Sequence, residues 1–95
     1  MRRAAHIDSN QSEIVDALRA AGAFVEPKLA RLGEGIPDLI VGIRGKTSLF
    51  EIKDGKKPPS KRSLTKDEQA WHNAFTGSLF IVESVEQALA ALATL

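Results

Sequence analysis

Apolar residues recur along this chain in two rhythms. Ile14, Ala17, Leu18 and Ala21 fall three or four apart, which lines one side of a helix. Asn10 with Glu13 has the spacing of a capping box at its start, Ser9 with Ser12 a weaker one, and Gly22 supplies the stop. Ala23-Phe24-Val25 predicts a short strand ended by Pro27. Residues 28–36, with Gly33 and Gly35, predict a loop. Asp38-Leu39-Ile40-Val41, opened by Pro37, and Thr47-Ser48-Leu49-Phe50-Glu51-Ile52-Lys53 predict two more strands. The turn between them runs from Gly42 to Gly45 with Arg44-Gly45 at its tip, so the two strands form a hairpin.

Residues 54–64 hold Gly55, Pro58, Pro59 and three lysines without apolar period, and predict a mobile loop. Thr65 with Glu68 caps a second helix, which carries Gln69, Trp71, His72 and Phe75 and ends at Gly77. Leu79-Phe80-Ile81-Val82 is a fourth strand, and Ser84 with Gln87 opens a last helix from Val85 to about Leu92. The order α-β-β-β-α-β-α predicts an α/β sandwich around a mixed four-stranded sheet. The long link from third to fourth strand suits a right-handed parallel crossover. Ala88, Leu89, Ala90, Ala91, Leu92, Ala93 and Leu95 leave the last helix little polar surface. That predicts a subunit interface; an Ala-rich helix that simply propagates well is the plainer account.

With 95 residues, 43% apolar and 26% charged, the chain reads as one domain, residues 1–95. No apolar run reaches the length of a membrane span, and none follows Met1-Arg2-Arg3, so neither a span nor a secretory leader is expected. Residues 1–8 read as frayed, and His6 among them receives no role. Cysteine is absent, which excludes disulfides, thiolate metal sites and a Cys nucleophile and fits a reducing cytoplasm. The net charge of +1 conceals an uneven distribution. Residues 54–66 carry Lys56, Lys57, Lys61, Arg62 and Lys66 against Asp54, a local +4, while the remainder holds 8 basic and 11 acidic groups. Such a segment suits phosphate binding as well as it suits a solvated loop.

Strand alternation places Glu51 and Lys53 on one face of the third strand and Phe50 and Ile52 on the other. The apolar pair must face the core, so Glu51 and Lys53 point together to a cleft or to solvent, where Asp38 joins them from the neighbouring strand. Two carboxylates there form a hard oxygen site suited to Mg²⁺ or Mn²⁺. Lys53 beside it can position an attacking water or stabilise developing negative charge. Glu13 borders the buried stripe of the first helix and is either a third carboxylate of the site or the capping partner of Asn10. Taken singly, a Glu-x-Lys strand is usually a solvated face and a Pro-Asp a turn signal.

Taken together, Gly35-Ile36-Pro37-Asp38-Leu39-Ile40-Val41, Phe50-Glu51-Ile52-Lys53, and Leu64-Thr65-Lys66-Asp67-Glu68-Gln69 with Trp71-His72 resemble the VRR-NUC (virus-type replication-repair nuclease) domain of the PD-(D/E)xK superfamily. The resemblance spans nearly the whole chain, and the small size is similar to that of stand-alone phage and bacterial forms. It implies a restriction-endonuclease-like αβββαβ core with a C-terminal helix and a Mg²⁺- or Mn²⁺-dependent phosphodiesterase. It further implies Asp38 and Glu51 as principal metal ligands, Glu13 as the acidic residue of the first helix, Lys53 as the water-orienting residue and Gln69 as the helix residue completing the site. The stand-alone forms suggest a homodimer cutting four-way junctions during replication or repair. A flap or single-strand nuclease of the same chemistry, or a binding module retaining only the fold, are the alternatives.

The loop at 54–64 follows the strand of Glu51 and Lys53, so Lys56, Lys57, Lys61 and Arg62, with Lys66 just beyond, are expected beside the scissile phosphate of DNA. Trp71 reads as a core or interface anchor rather than a base-stacking platform, and His72 as a partly exposed helix residue rather than a proton carrier. Ser12, Ser60 and Ser63 have no Ser–His–acid context. Arg31 and Arg44 are loop basics, for backbone contact or solubility.

Overall fold

The structure is a computed structural model that describes residues 8–95; the readings made for residues 1–7, His6 included, lie outside the described residues. The elements are α1 (Gln11–Ala20), β1 (Phe24–Glu26), β2 (Leu39–Ile43), β3 (Lys46–Ile52), α2 (Lys66–Ala74), β4 (Leu79–Val82) and α3 (Val85–Ala93), with short 3-10 turns at Leu29–Leu32 and Pro59–Lys61. One mixed sheet runs β1-β2-β3-β4. Its first two pairings are antiparallel, and β3 and β4 are parallel across the α2 connection.

The β2–β3 hairpin follows from two residues. Ile43 pairs with Lys46, leaving Arg44 (φ 51°) and Gly45 (φ 76°) as a two-residue turn with both φ positive. That is the turn whose twist matches paired strands. Gly42 lies inside β2, opposite Thr47, rather than in the turn.

Alternation along β3 decides the two faces. Phe50 and Ile52 are fully buried among Leu39, Val41, Val25 and Val82, and Ile14 and Leu18 of α1 and Ala88 and Leu92 of α3 join them in the core. Phe80 packs on Phe50 with ring centroids 5.5 Å apart. The opposite face carries Glu51, with Ile81 as its partner on β4. There α2 makes its contacts and buries none of its own residues. Phe24 and Ile81, 66% and 48% exposed, are open apolar residues on that side.

Four further local readings differ or gain detail in the structure. Asn10 does cap α1 by position but makes no side-chain cap bond. Its amide instead donates to the carbonyls of Lys53 (3.2 Å) and Glu83 (3.1 Å), tying α1 to the ends of β3 and β4. Helix α2 ends at Ala74, before Gly77, because Phe75 turns to extended backbone (φ −77°, ψ 127°) and stacks on Trp71, ring centroids 5.0 Å apart. The segment at 54–64 is anchored: Asp54 accepts from Ser9 Oγ (3.0 Å), Lys57 pairs with Asp8 (3.6 Å) and Arg62 with Glu83 (3.2 Å). Finally, α3 owes much of its apolar character to the chain's own core, which takes up Ala88, Ala91 and Leu92 and leaves Leu89 as its larger exposed apolar residue. Arg44 donates to the carbonyls of Leu92 (3.0 Å) and Leu95 (3.3 Å), satisfying the open end of that helix.

Candidate active site

Asp38 stands just before β2, where chain pairing begins. Its N–H donates to Phe50 O (3.1 Å), and its Oδ2 accepts from the N–H of Ile52 at 2.7 Å. The side chain is thereby pinned across to β3, beside Glu51. Asp38, Glu51 and Lys53 are all buried, at 7%, 2% and 8% exposure. All three line one cleft of about 560 Å³, walled by residues 33–36, by the start of α2 and by Lys57 and Lys61. The expected convergence of Asp38, Glu51 and Lys53 therefore forms.

Burial of two acids side by side controls their protonation. The Glu51 carboxyl is pushed up to about 10, first by burial and then by its hydrogen bond to, and charge repulsion from, Asp38. Burial also raises Asp38, against the opposing pull of the Glu51 and Ile52 hydrogen bonds. Such a pair holds a proton at neutral pH unless a cation takes its place. Lys53 stays charged: burial would lower it, but a 2.7 Å bond to Glu68 Oε1, with the charges of Glu68, Glu51 and Asp8, raises it. Glu68 is correspondingly lowered, since Lys53 and the Thr65 N–H outweigh its burial. His72 Nε2 lies 3.3 Å from Glu51 Oε1, and burial, aided by the Lys53 charge, lowers the imidazole.

Thr65 and Glu68 form the expected capping box, with both reciprocal bonds present. The wall opposite α2 approaches it closely at Gly35. A Cβ there would overlap the carbonyl of Asp67 and lie 2.8 Å from the Glu68 nitrogen, and Gly35 has φ +86°. Only glycine permits this contact.

Two expected site residues lie elsewhere. Glu13 is exposed on α1 and borders a separate recess with Asp54, Lys56 and Asp16; it is neither in the cleft nor bonded to Asn10. Gln69 is exposed and donates to Asn73 Oδ1 at 2.8 Å. The cleft instead holds Asp8, from the residue ahead of α1's first turn, and Glu68, while His72 reaches Glu51 from behind. Glu68 and His72 are four apart and so share a helix face, a signal present in the sequence. Nothing local marks Asp8, because only the packing of α1 on the sheet brings it there.

Of the basic residues, Lys57 and Lys61 line the cleft, Lys56 borders the recess of Glu13, Arg62 is engaged with Glu83, and Lys66 is exposed at the start of α2.

Among the described residues, no three His, Cys, Asp or Glu side chains form a ready-made metal cage. The donor set nevertheless fits one kind of ion. Mg²⁺ commonly takes one or two carboxylates and completes its shell with water and phosphate oxygens, and Asp38 and Glu51 are such a pair in an open cleft.

No protein-family model and no curated protein matches this chain. Among solved structures, one described as a VRR_NUC domain does. It is 24% identical in sequence, with a TM-score of 0.64, covering 90% of this chain and 97% of that one. The chain has the VRR_NUC fold. The fold so matched is a mixed four-stranded sheet with three helices, one of them C-terminal. In this instance of the VRR_NUC fold, the cleft forms where β2 begins and β3 ends, so the carboxylates project from hydrogen-bonded, paired backbone.

Proposed function

We propose that this protein is a DNA endonuclease that hydrolyses phosphodiester bonds with Mg²⁺ or Mn²⁺, acting on structured or branched DNA such as four-way junctions in replication and repair. The observation that carries the reading is the meeting of Asp38, Glu51 and Lys53 in one cleft bordered by Lys57 and Lys61. The likeness to a VRR_NUC domain supports it. Its setting would be the cytoplasm of a bacterium or of a phage-infected cell.

Asp38 and Glu51 would hold the ion, which supplies charge neutralisation at phosphoryl oxygens and a more acidic water. The chain's own groups do the rest. Lys53 uses one of its three donors on Glu68, leaving two for the attacking water or a phosphoryl oxygen. Water adds to phosphorus, its proton passing to solvent, as the bond to the leaving sugar oxygen breaks and that oxygen takes a proton from solvent; the ammonium stabilises charge that grows in that step. Lys57 and Lys61 take neighbouring phosphates, which positions DNA without reading its sequence.

The decisive assay offers labelled four-way junction, flap, single strand and duplex with Mg²⁺ or Mn²⁺ to the wild type and to Lys53→Ala. The junction is expected to be cut, and Lys53→Ala to lose roughly 10²–10³-fold in rate while binding it as before. Undiminished cutting by Lys53→Ala overturns the role of Lys53. Binding without cutting of any substrate leaves a binding module of this fold.

Binding should depend steeply on salt. Lys57→Ala and Lys61→Ala are each expected to flatten log K against log[salt] by about one unit. Lys56→Ala, on the separate recess, should leave the slope in place. An unaltered slope in the Lys57/Lys61 double variant would remove those residues from the interface.

A symmetric junction calls for two active sites, hence a homodimer. The open apolar residues Phe24 and Ile81, together with Leu89 of α3, supply surface for it. Light scattering is expected to give twice the 10.3 kDa chain mass, and a strict monomer would redirect the reading to flaps or nicks.

A further inference from the structure

Helix α2 leaves each of its nine residues at least partly exposed, and polar side chains tie it to the sheet. Glu68 and His72, one turn apart on the same helix face, meet Lys53 and Glu51, two apart on the same strand face. Glu68 Oε1 accepts both from Lys53 Nζ (2.7 Å) and from the Thr65 N–H (2.9 Å), so a single oxygen joins the helix's first turn to the lysine. His72 Nε2 faces Glu51 Oε1 at 3.3 Å, and the two side chains are 8% and 3% exposed.

We propose that Glu68 and His72 are a pair of positioning residues. Glu68 fixes the Lys53 ammonium, His72 fixes the orientation of the Glu51 carboxyl, and the docking of α2 is thereby coupled to assembly of the site. The proposal rests on the nuclease reading above. Once a cation has displaced the Glu51 proton, an imidazole with its own proton on Nε2 donates to Oε1 and leaves the second carboxylate oxygen to act with Asp38. Partners of this kind behind a metal-binding carboxylate typically alter affinity or activity by 10–100-fold. Glu68 acts on a different group, so its loss should register in the chemical step rather than in ion binding.

The test measures Mn²⁺ binding by calorimetry with the metal alone, single-turnover cleavage of the four-way junction, junction affinity and thermal melting in chelator. His72→Phe, which keeps a ring and removes the donor, is expected to weaken Mn²⁺ binding about 10–100-fold at unchanged junction affinity. His72→Gln, which restores a donor, should recover most of that loss. Glu68→Leu, which removes the acceptor, is expected to slow cleavage about tenfold at saturating junction, with Mn²⁺ affinity retained. Mn²⁺ affinity in His72→Phe equal to that of the wild type overturns the role of His72, and full cleavage by Glu68→Leu overturns that of Glu68.

A measurement on the unaltered protein keeps the proposal testable should His72→Phe fail to fold. Stoichiometric Mn²⁺ is expected to broaden the His72 imidazole resonances, and sharp resonances in a protein that has bound the ion would refute the contact. A wild type that neither binds Mn²⁺ nor cuts DNA is a distinct result, and it strikes the nuclease reading itself.

Discussion

Glu51→Gln is expected to abolish divalent-dependent cleavage, by about 10³-fold or more, while making the metal-free protein less sensitive to alkaline pH. The amide keeps the shape of a protonated carboxyl, and Glu51 is held protonated by burial, its folded value near 10 against an ordinary 4.5. The folded state therefore binds this proton more tightly than the unfolded one. Stability from it is complete below about pH 4.5 and is lost as pH rises toward 10. The raised Asp38 acts in the same direction. His72 and Glu68 are both lowered, so their contributions change below their ordinary values of 6.5 and 4.5, and the raised Lys53 matters only above 10.5. Between roughly pH 7 and 9 the carboxyl pair is thus isolated.

In that window, with chelator present, the wild type should lose about 1 kcal/mol per pH unit, roughly 5 °C in melting temperature. Glu51→Gln should be much flatter. Added Mn²⁺ should restore the wild type by mass action and leave the variant unmoved. Parallel slopes for the two proteins in chelator would show that the shared proton is not at Glu51.

The second large effect belongs to Gly35. Gly35→Ala meets two costs at once. The residue lies at φ +86°, and its new Cβ would collide with backbone of Asp67 and Glu68 rather than with a movable side chain. Positive φ in a non-glycine residue costs about 1–3 kcal/mol, and forced overpacking about 1–3 more. A loss near 3 kcal/mol is expected in denaturant titration. Cleavage should fall further than stability does, because relief requires moving the first turn of α2, where Glu68 holds Lys53. Gly22→Ala separates the two costs: Gly22 has φ +100° but nothing within 4 Å of a Cβ, so it bears the conformational cost alone. Equal destabilisation by the two variants would mean that the wall of the cleft gives way freely.

The parts of the site legible in the chain are those carried by strands. A strand has two faces, and once Phe50 and Ile52 claim the core, Glu51 and Lys53 have no other side to occupy. The Arg44-Gly45 turn then sets the register that brings Asp38 opposite. Helix residues are less legible, for a physical reason. Spacing tells which residues are neighbours on a helix, but a buried stripe is needed to tell which neighbours face the protein. Helix α1 has that stripe in Ile14 and Leu18, yet Glu13 beside it points away from the cleft. Helix α2 has no buried apolar stripe, so spacing leaves its phase open, and the resemblance points to Gln69 where Glu68 and His72 stand. The capping box of Thr65 and Glu68 was readable; that the same Glu68 oxygen also takes Lys53 was not.

The element order, the hairpin, the inward and outward faces of β3 and hence the grouping of Asp38, Glu51 and Lys53 are written in the chain. These depend on contacts between near neighbours and on a two-way choice that apolar burial settles. Long-range packing alone puts Asp8 in the cleft and Glu13 outside it, turns Glu68 and His72 toward Lys53 and Glu51, and sets Lys57 and Lys61 rather than Lys56 at its border. Each of those depends on how a helix or loop is rotated against a distant strand, a continuous variable that local spacing leaves undetermined and long-range packing fixes.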